Sequence, residues 1–135
     1  MLEALDAAWA GLPLGMRLGF GFALGAVHGW FAAVVVERVP QGIGVSGVGE
    51  SPRSSCVCGR QLSPVENLPI LSYLALHGRA RCCGAAIPRW YLGAEVGMGA
   101  WWAAAWSAPW LLAAVGGSLA GFAGLVAGGL AWQRR

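Results

Sequence analysis

The four cysteines of this chain fall in two short clusters. Cys56-Val57-Cys58-Gly59-Arg60-Gln61-Leu62 is echoed by Cys82-Cys83-Gly84-Ala85-Ala86-Ile87, so a Cys-Gly-x-x-aliphatic unit occurs twice. Glycine after the last cysteine permits the positive φ of a tight turn that aims backbone amides at sulfur. Four thiolates on two such turns suit tetrahedral Zn²⁺. The spacing departs from the usual Cys-x-x-Cys knuckle, because the first pair is Cys-x-Cys and the second is adjacent, and neighbouring side chains of an extended chain point to opposite faces. Two readings of Cys56, Cys58, Cys82 and Cys83 therefore stand side by side: a zinc site, and reduced thiols that only pack. A disulfide is the minor third, disfavoured if the segment faces a reducing compartment. The surrounding stretch has few large apolar side chains and would gain order from a metal staple.

Other chemistry is sparse. Gly42, Gly44, Gly47 and Gly49 form a flexible linker after Pro40, but no strand and helix bracket them, so they make a weak phosphate cradle. Nine Arg, no Lys and a net charge of +3 are too scattered for a nucleic-acid stripe.

The elements that must carry the cysteines are apolar. Of the 135 residues 57% are hydrophobic and 11% charged, against about a quarter charged in soluble domains. Residues 18–36 hold no charge, and at the helical rise they reach about 28 Å, close to the ~30 Å of a bilayer core. A cleaved signal peptide would want a basic start, whereas Glu3 and Asp6 make this one acidic. The uncharged run 96–133 would extend about 57 Å as one helix, so it must fold back. Pro109, after Ser107 and Ala108, supplies the break and divides it into helices over about 91–106 and 110–132. The expected architecture is thus an α-helical membrane protein with about three spans. Residues 1–36 form the N-terminal segment and first span, 37–90 a cysteine-containing, zinc-ribbon-like insert, and 91–135 two further spans with a turn near 107–109.

Arginine sets the expected orientation. Arg38, Arg53, Arg60, Arg79, Arg81 and Arg89 lie in the insert, Arg134 and Arg135 in the tail, and only Arg17 before the first span, which places insert and C-terminus in the cytoplasm and the N-terminus outside. Trp90, Trp101, Trp102, Trp106, Trp110 and Trp132 fall near the span ends, as headgroup-level rings do. Gly21, Gly25 and Gly29 repeat on one helix face, as do Gly124 and Gly128, and are expected to let helices approach closely within the bundle rather than between copies. Glu66 is expected in a solvated turn, Glu95 as an Arg-paired interface residue, His28 bonded to a neighbouring helix and His77 in an exposed loop.

At this point the residues resemble a family. Gly29, Phe31, Val34, Val35, Val36, Arg38, Val39 and Pro40 match the entry motif Gly-Ser-Phe-Leu-Asn-Val-Val-Ile-x-Arg-Leu-Pro of bacterial type IV prepilin peptidases, with Trp30 and Ala33 departing from it. Glu66-Asn67-Leu68-Pro69-Ile70-Leu71-Ser72-Tyr73-Leu74 resembles the Asp-Asn-Ile-Pro-Leu-Leu-Ser-Trp-Leu stretch. Gly78, Arg79, Arg81, Cys83, Gly84, Ile87, Tyr91 and Glu95 follow in the family's order. The resemblance, to the family's N-terminal domain, runs from about Gly29 to Glu95. It puts Cys58 and Cys83 on the second cysteine of each family pair and Ser55 and Ala80 on the first, which weakens a direct transfer of a tetrathiolate site.

The resemblance also implies two catalytic aspartates after the third span, coupled carboxylates that activate water. The acids here are Glu3, Asp6, Glu37, Glu50, Glu66 and Glu95, and none occupies such a place, so no catalytic residue is assigned. The leading expectation is a non-proteolytic module of the bacterial inner membrane. Its partners would be the lipid bilayer, pilin or pseudopilin precursors of type IV pili and type II secretion, and a separately encoded peptidase half. The alternatives are an S-adenosylmethionine-dependent N-methyltransferase of processed pilins, and a degenerate truncated remnant.

Overall fold

The computed structural model describes residues 1–45 and 55–134. Gly47, Gly49, Glu50, Arg53 and Arg135, which enter the linker, acid and charge arguments above, lie outside the described residues. Among the described residues five helices follow one another: α1 (Leu2–Gly11), α2 (Leu14–Arg38), α3 (Leu71–Ala75), α4 (Arg89–Trp106) and α5 (Leu111–Gln133), with 3-10 turns at Val39–Gln41 and Pro64–Asn67. Proline marks where the long ones begin. Pro13 and Pro88 precede α2 and α4 with φ of −52° and −57°, and Pro109 stands two residues before α5. The ring locks φ at a value that leads into a helix and bars the preceding residue from continuing one.

Two stretches, Leu14–Gln41 and Leu111–Gln133, are long and apolar enough to cross a membrane. Packed against both is α4, with 18 residues that include Arg89 and Glu95. Length and hydropathy thus qualify two helices rather than the three expected.

The seam between α2 and α4 is built from small residues. Gly21, Gly25 and Gly29 face Trp106, Trp102, Met98 and Ala94, and a Cβ on Gly25 would lie 2.7 Å from Trp102 Cβ and 2.9 Å from Gly99 Cα. Such residues let backbones approach where packing, rather than water exclusion, holds helices together. On α5 the close approaches are made by Gly117, Gly121 and Gly129, against Ala105, Trp101 and Val36, while Gly124 and Gly128 have nothing within 4 Å. The sequence spacing pointed to the wrong glycines of α5, because spacing does not tell which face meets a neighbour.

Several of the tryptophans near the helix ends also join helices. Trp102 is buried, Trp101 Nε1 donates to Gly117 O at 2.8 Å, and Trp106 Nε1 donates to Ser118 Oγ at 3.1 Å. His28 pairs with the carbonyl of Leu24 in its own helix at 2.8 Å and stacks on Trp102, with ring centroids 4.3 Å apart. The expected bond to a neighbouring helix is thus replaced by a ring contact.

The far end of the bundle is closed by α1. Asp6 Oδ1 accepts from Leu111 N–H at 2.9 Å, and Ala108 O accepts from Trp9 Nε1 at 3.0 Å and Arg17 Nη1 at 2.9 Å. A helix start leaves backbone N–H groups without intrahelical partners, and a carboxylate there also meets the positive end of the helix dipole. Asp6 is therefore a cap contributed by a separate helix.

Candidate metal centre

Both cysteine clusters fold as short hairpin loops. Ser55 bridges to Gln61 and Arg79 to Ala86, each antiparallel. Within the first loop Cys56 N donates to Arg60 O and Gly59 N to Cys56 O, both at 2.8 Å; within the second, Ala80 N donates to Ala85 O and Gly84 N to Ala80 O at the same distance. Gly59 and Gly84 have φ of 83° and 69°, the left-handed turn for which glycine is suited.

The hydrogen-bond register changes the correspondence drawn from the sequence. Cys56 and Ala80 are equivalent, since each opens its loop with the same bond, and Ser55 lies outside as the bridging residue. The first loop is one residue shorter than the second. Cys56 therefore stands in the first-cysteine place of the short loop, whereas in the long loop that place is Ala80 and the further sulfur comes from Cys82.

All four sulfurs converge. Cys56 Sγ lies 3.3 Å from Cys83 Sγ, Cys58 Sγ 3.2 Å from Cys82 Sγ, and every pair within 4.8 Å. A Zn–S bond of ~2.3 Å requires sulfur–sulfur edges of about 3.8 Å in a tetrahedron, so the donor set fits zinc in number, chemistry and size. The adjacency of Cys82 and Cys83, which counted against a common site, is resolved by the turn: their sulfurs are 3.8 Å apart. No extended geometry holds there to splay them.

The electrostatics favour a thiolate at one corner. Hydrogen bonds from the Cys56 and Cys58 thiols, assisted by Arg60, draw the Cys82 thiol down to about 6. At Cys56 the Cys58 backbone N–H acts to lower the pKa, but contacts with Cys82 and Cys83 outweigh it and leave it raised. Arg60 also binds Glu66 Oε1 at 2.5 Å. Glu66 is more than a solvated turn residue: Ser63 N donates to its Oε2 at 2.9 Å while Glu66 N donates to Ser63 Oγ, a capping box. These backbone and side-chain bonds from Ser63, then Arg60, hold the Glu66 carboxyl below its ordinary value.

A second polar link ties this segment to the helices. Glu95 is only 6% exposed, and its Oε2 accepts from Ile70 N–H at 2.7 Å. No arginine pairs with it among the described residues. Ile70 has φ of 61°, unusual for a β-branched residue, and its amide is turned toward α4. Tyr91 Oη donates to Glu37, joining the start of α4 to the end of α2. Gly78, with φ of 67°, admits the Tyr73 ring, 2.9 Å from where a Cβ would sit, and Ile87 N closes on Gly78 O at 2.8 Å. His77 is exposed, as expected. Gly42 ends the first 3-10 turn, and no strand precedes it among the described residues.

Residues 23–108 match the bacterial peptidase A24 N-terminal domain. The chain is 39% identical over 116 residues to a prepilin leader peptidase/N-methyltransferase of Burkholderia pseudomallei (strain 1026b), covering 70% of this chain and 38% of that protein. Proteins of the same name from Myxococcus xanthus and Bacillus subtilis are 45% and 37% identical, over 50% and 56% of this chain and 19% and 29% of theirs. The matched part thus spans about two-fifths or less of these relatives, and no solved structure shows a significant match. With the family match covering most of its length, the chain belongs to the bacterial peptidase A24 N-terminal domain family.

Proposed function

We propose that the chain is a membrane-embedded, non-proteolytic module of prepilin processing. In this reading α2, α4 and α5 are three spans, the N-terminus faces outward, and the cysteine segment and the end of α5 lie in the cytoplasm of a bacterial inner-membrane protein. The arginine distribution supports that orientation. The module receives pilin-like precursors, and the aspartates that cut the leader belong to a catalytic half outside this stretch. The sole aspartate here is Asp6, engaged on Leu111 N–H. One zinc held by Cys56, Cys58, Cys82 and Cys83 would supply no reaction step; it would tie the two loops to each other. The observation that carries the reading is the convergence of four cysteines inside a family-matched segment.

The test is reconstitution in liposomes of the full chain, a prepilin and a peptidase A24 catalytic half, with leader removal read on gels and zinc by elemental analysis. The expected results are one zinc per chain, no cleavage by the chain alone, and faster cleavage by the catalytic half when the chain is present. Cleavage by the chain alone, or a catalytic half indifferent to it, overturns the proposal.

A further inference from the structure

We propose that the insert-side end of the helix bundle binds an anionic phospholipid. The inference rests on the reading of α2, α4 and α5 as membrane spans. An apolar cleft of about 600 Å³ opens there, lined among others by Ala33 and Val36 from the last turns of α2, Trp90 from the first turn of α4, and Leu125, Gly129 and Trp132 from the last turns of α5. Along the cleft Gly129 of α5 lies against the Val36 methyls of α2.

Charge at the rim identifies the occupant. Arg38 is the last residue of α2, Arg89 the first of α4, and Arg134 the residue after α5, so all three helices bring an arginine to the same end of the bundle. Arg89 directly precedes Trp90, and Arg134 is two residues beyond Trp132, both cleft-lining. Both arginines are exposed. Among the described residues the acid at this rim is Glu37, and its carboxylate accepts from Tyr91 Oη. An apolar slot one or two helical turns deep under a ring of cations is complementary to an acyl chain beneath a phosphate headgroup. Basic pockets between membrane helices on the cytoplasmic side select such lipids. A zwitterionic lipid would satisfy the slot and not the rim, and a free phosphate the rim and not the slot.

The experiment is native mass spectrometry of the full chain extracted in detergent and offered phosphatidylglycerol or phosphatidylcholine of equal chain length. Phosphatidylglycerol is expected to be retained preferentially. Arg89→Gln and Arg134→Gln should each lower that retention about fivefold and together about 25-fold, without changing phosphatidylcholine retention. Leu125→Trp, which fills the slot, should lower retention of both. Equal retention of the two lipids, or loss unaffected by the arginine substitutions, overturns the proposal. Extraction by alkaline carbonate without detergent would instead overturn the membrane-span reading beneath it, so the two failures are distinguishable.

Discussion

Adding one methyl group at Gly25 tests the seam on which the bundle depends. The new Cβ would lie 2.7 Å from Trp102 Cβ and 2.9 Å from Gly99 Cα, where ordinary contact begins at 3.4 Å. The Met98 carbonyl blocks the same space, and two of the three obstacles are backbone, so no rotamer change relieves them. The helices must separate by at least about 0.7 Å along the seam, a form of overpacking that costs typically about 1–3 kcal/mol. About 2 kcal/mol corresponds to a roughly 30-fold lower ratio of folded to unfolded chain. Gly124→Ala provides the control: its Cβ would meet nothing within 4 Å, and exchanging glycine for alanine in a helix is favourable by up to about 1 kcal/mol. Reversible unfolding of the detergent-solubilised chain, followed at several protein concentrations, measures both. Gly25→Ala should be destabilised equally at every concentration and Gly124→Ala not at all. Equal stability of the two variants refutes the seam. A Gly25→Ala defect that shrinks with increasing protein refutes its placement within one molecule.

Two further outcomes follow from the polar contacts. Glu95→Ala should release the Ile70 amide and speed proteolysis between residues 60 and 88 while leaving the helical circular dichroism intact; Glu95→Gln, which keeps an acceptor oxygen, should restore most of the protection, and equal behaviour of the two variants would refute the contact. In the metal-free chain, Cys82 should be the first thiol alkylated by iodoacetamide at pH 7, ahead of the more exposed Cys58. Because its pKa is lowered in the folded state, its contribution to stability is present above the unfolded thiol value and is lost as pH falls through about 6. Peptide mapping after brief labelling decides it, and preferential labelling of Cys58 contradicts the assignment.

The uncharged runs located α2, α4 and α5 because charge is costly in apolar surroundings and leaves its mark directly in composition. The four cysteines could be named from the sequence, yet the way they meet could not. Cys82 and Cys83 looked incompatible by the alternation of an extended strand, and the turn through Gly84 removes that rule. The loop register, with Cys56 opposite Ala80 rather than Ser55, depends on backbone hydrogen bonds that no residue spacing encodes. Glu95 was misread for a related reason. A carboxylate near a helix start suggests an arginine partner, and its real partner is a backbone amide whose side chain, Ile70, gives no sign of it. Asp6 and α1 were missed because their contacts span 105 positions of sequence.

The closure at the far end has an implication for which substitutions the protein tolerates. Asp6, Trp9 and Arg17 all grip the main chain of the 107–111 region, at Ala108 O and Leu111 N–H, and none of these hydrogen bonds uses a side chain of the turn. Such a grip does not read residue identity on its receiving side. The turn is therefore free to drift in composition so long as its path is kept, whereas each of the three gripping residues carries a requirement on its own functional group. Mutational sensitivity at this end should be one-sided, concentrated in the first seventeen residues, with Pro109, whose ring sets the path, the exception in the turn they hold.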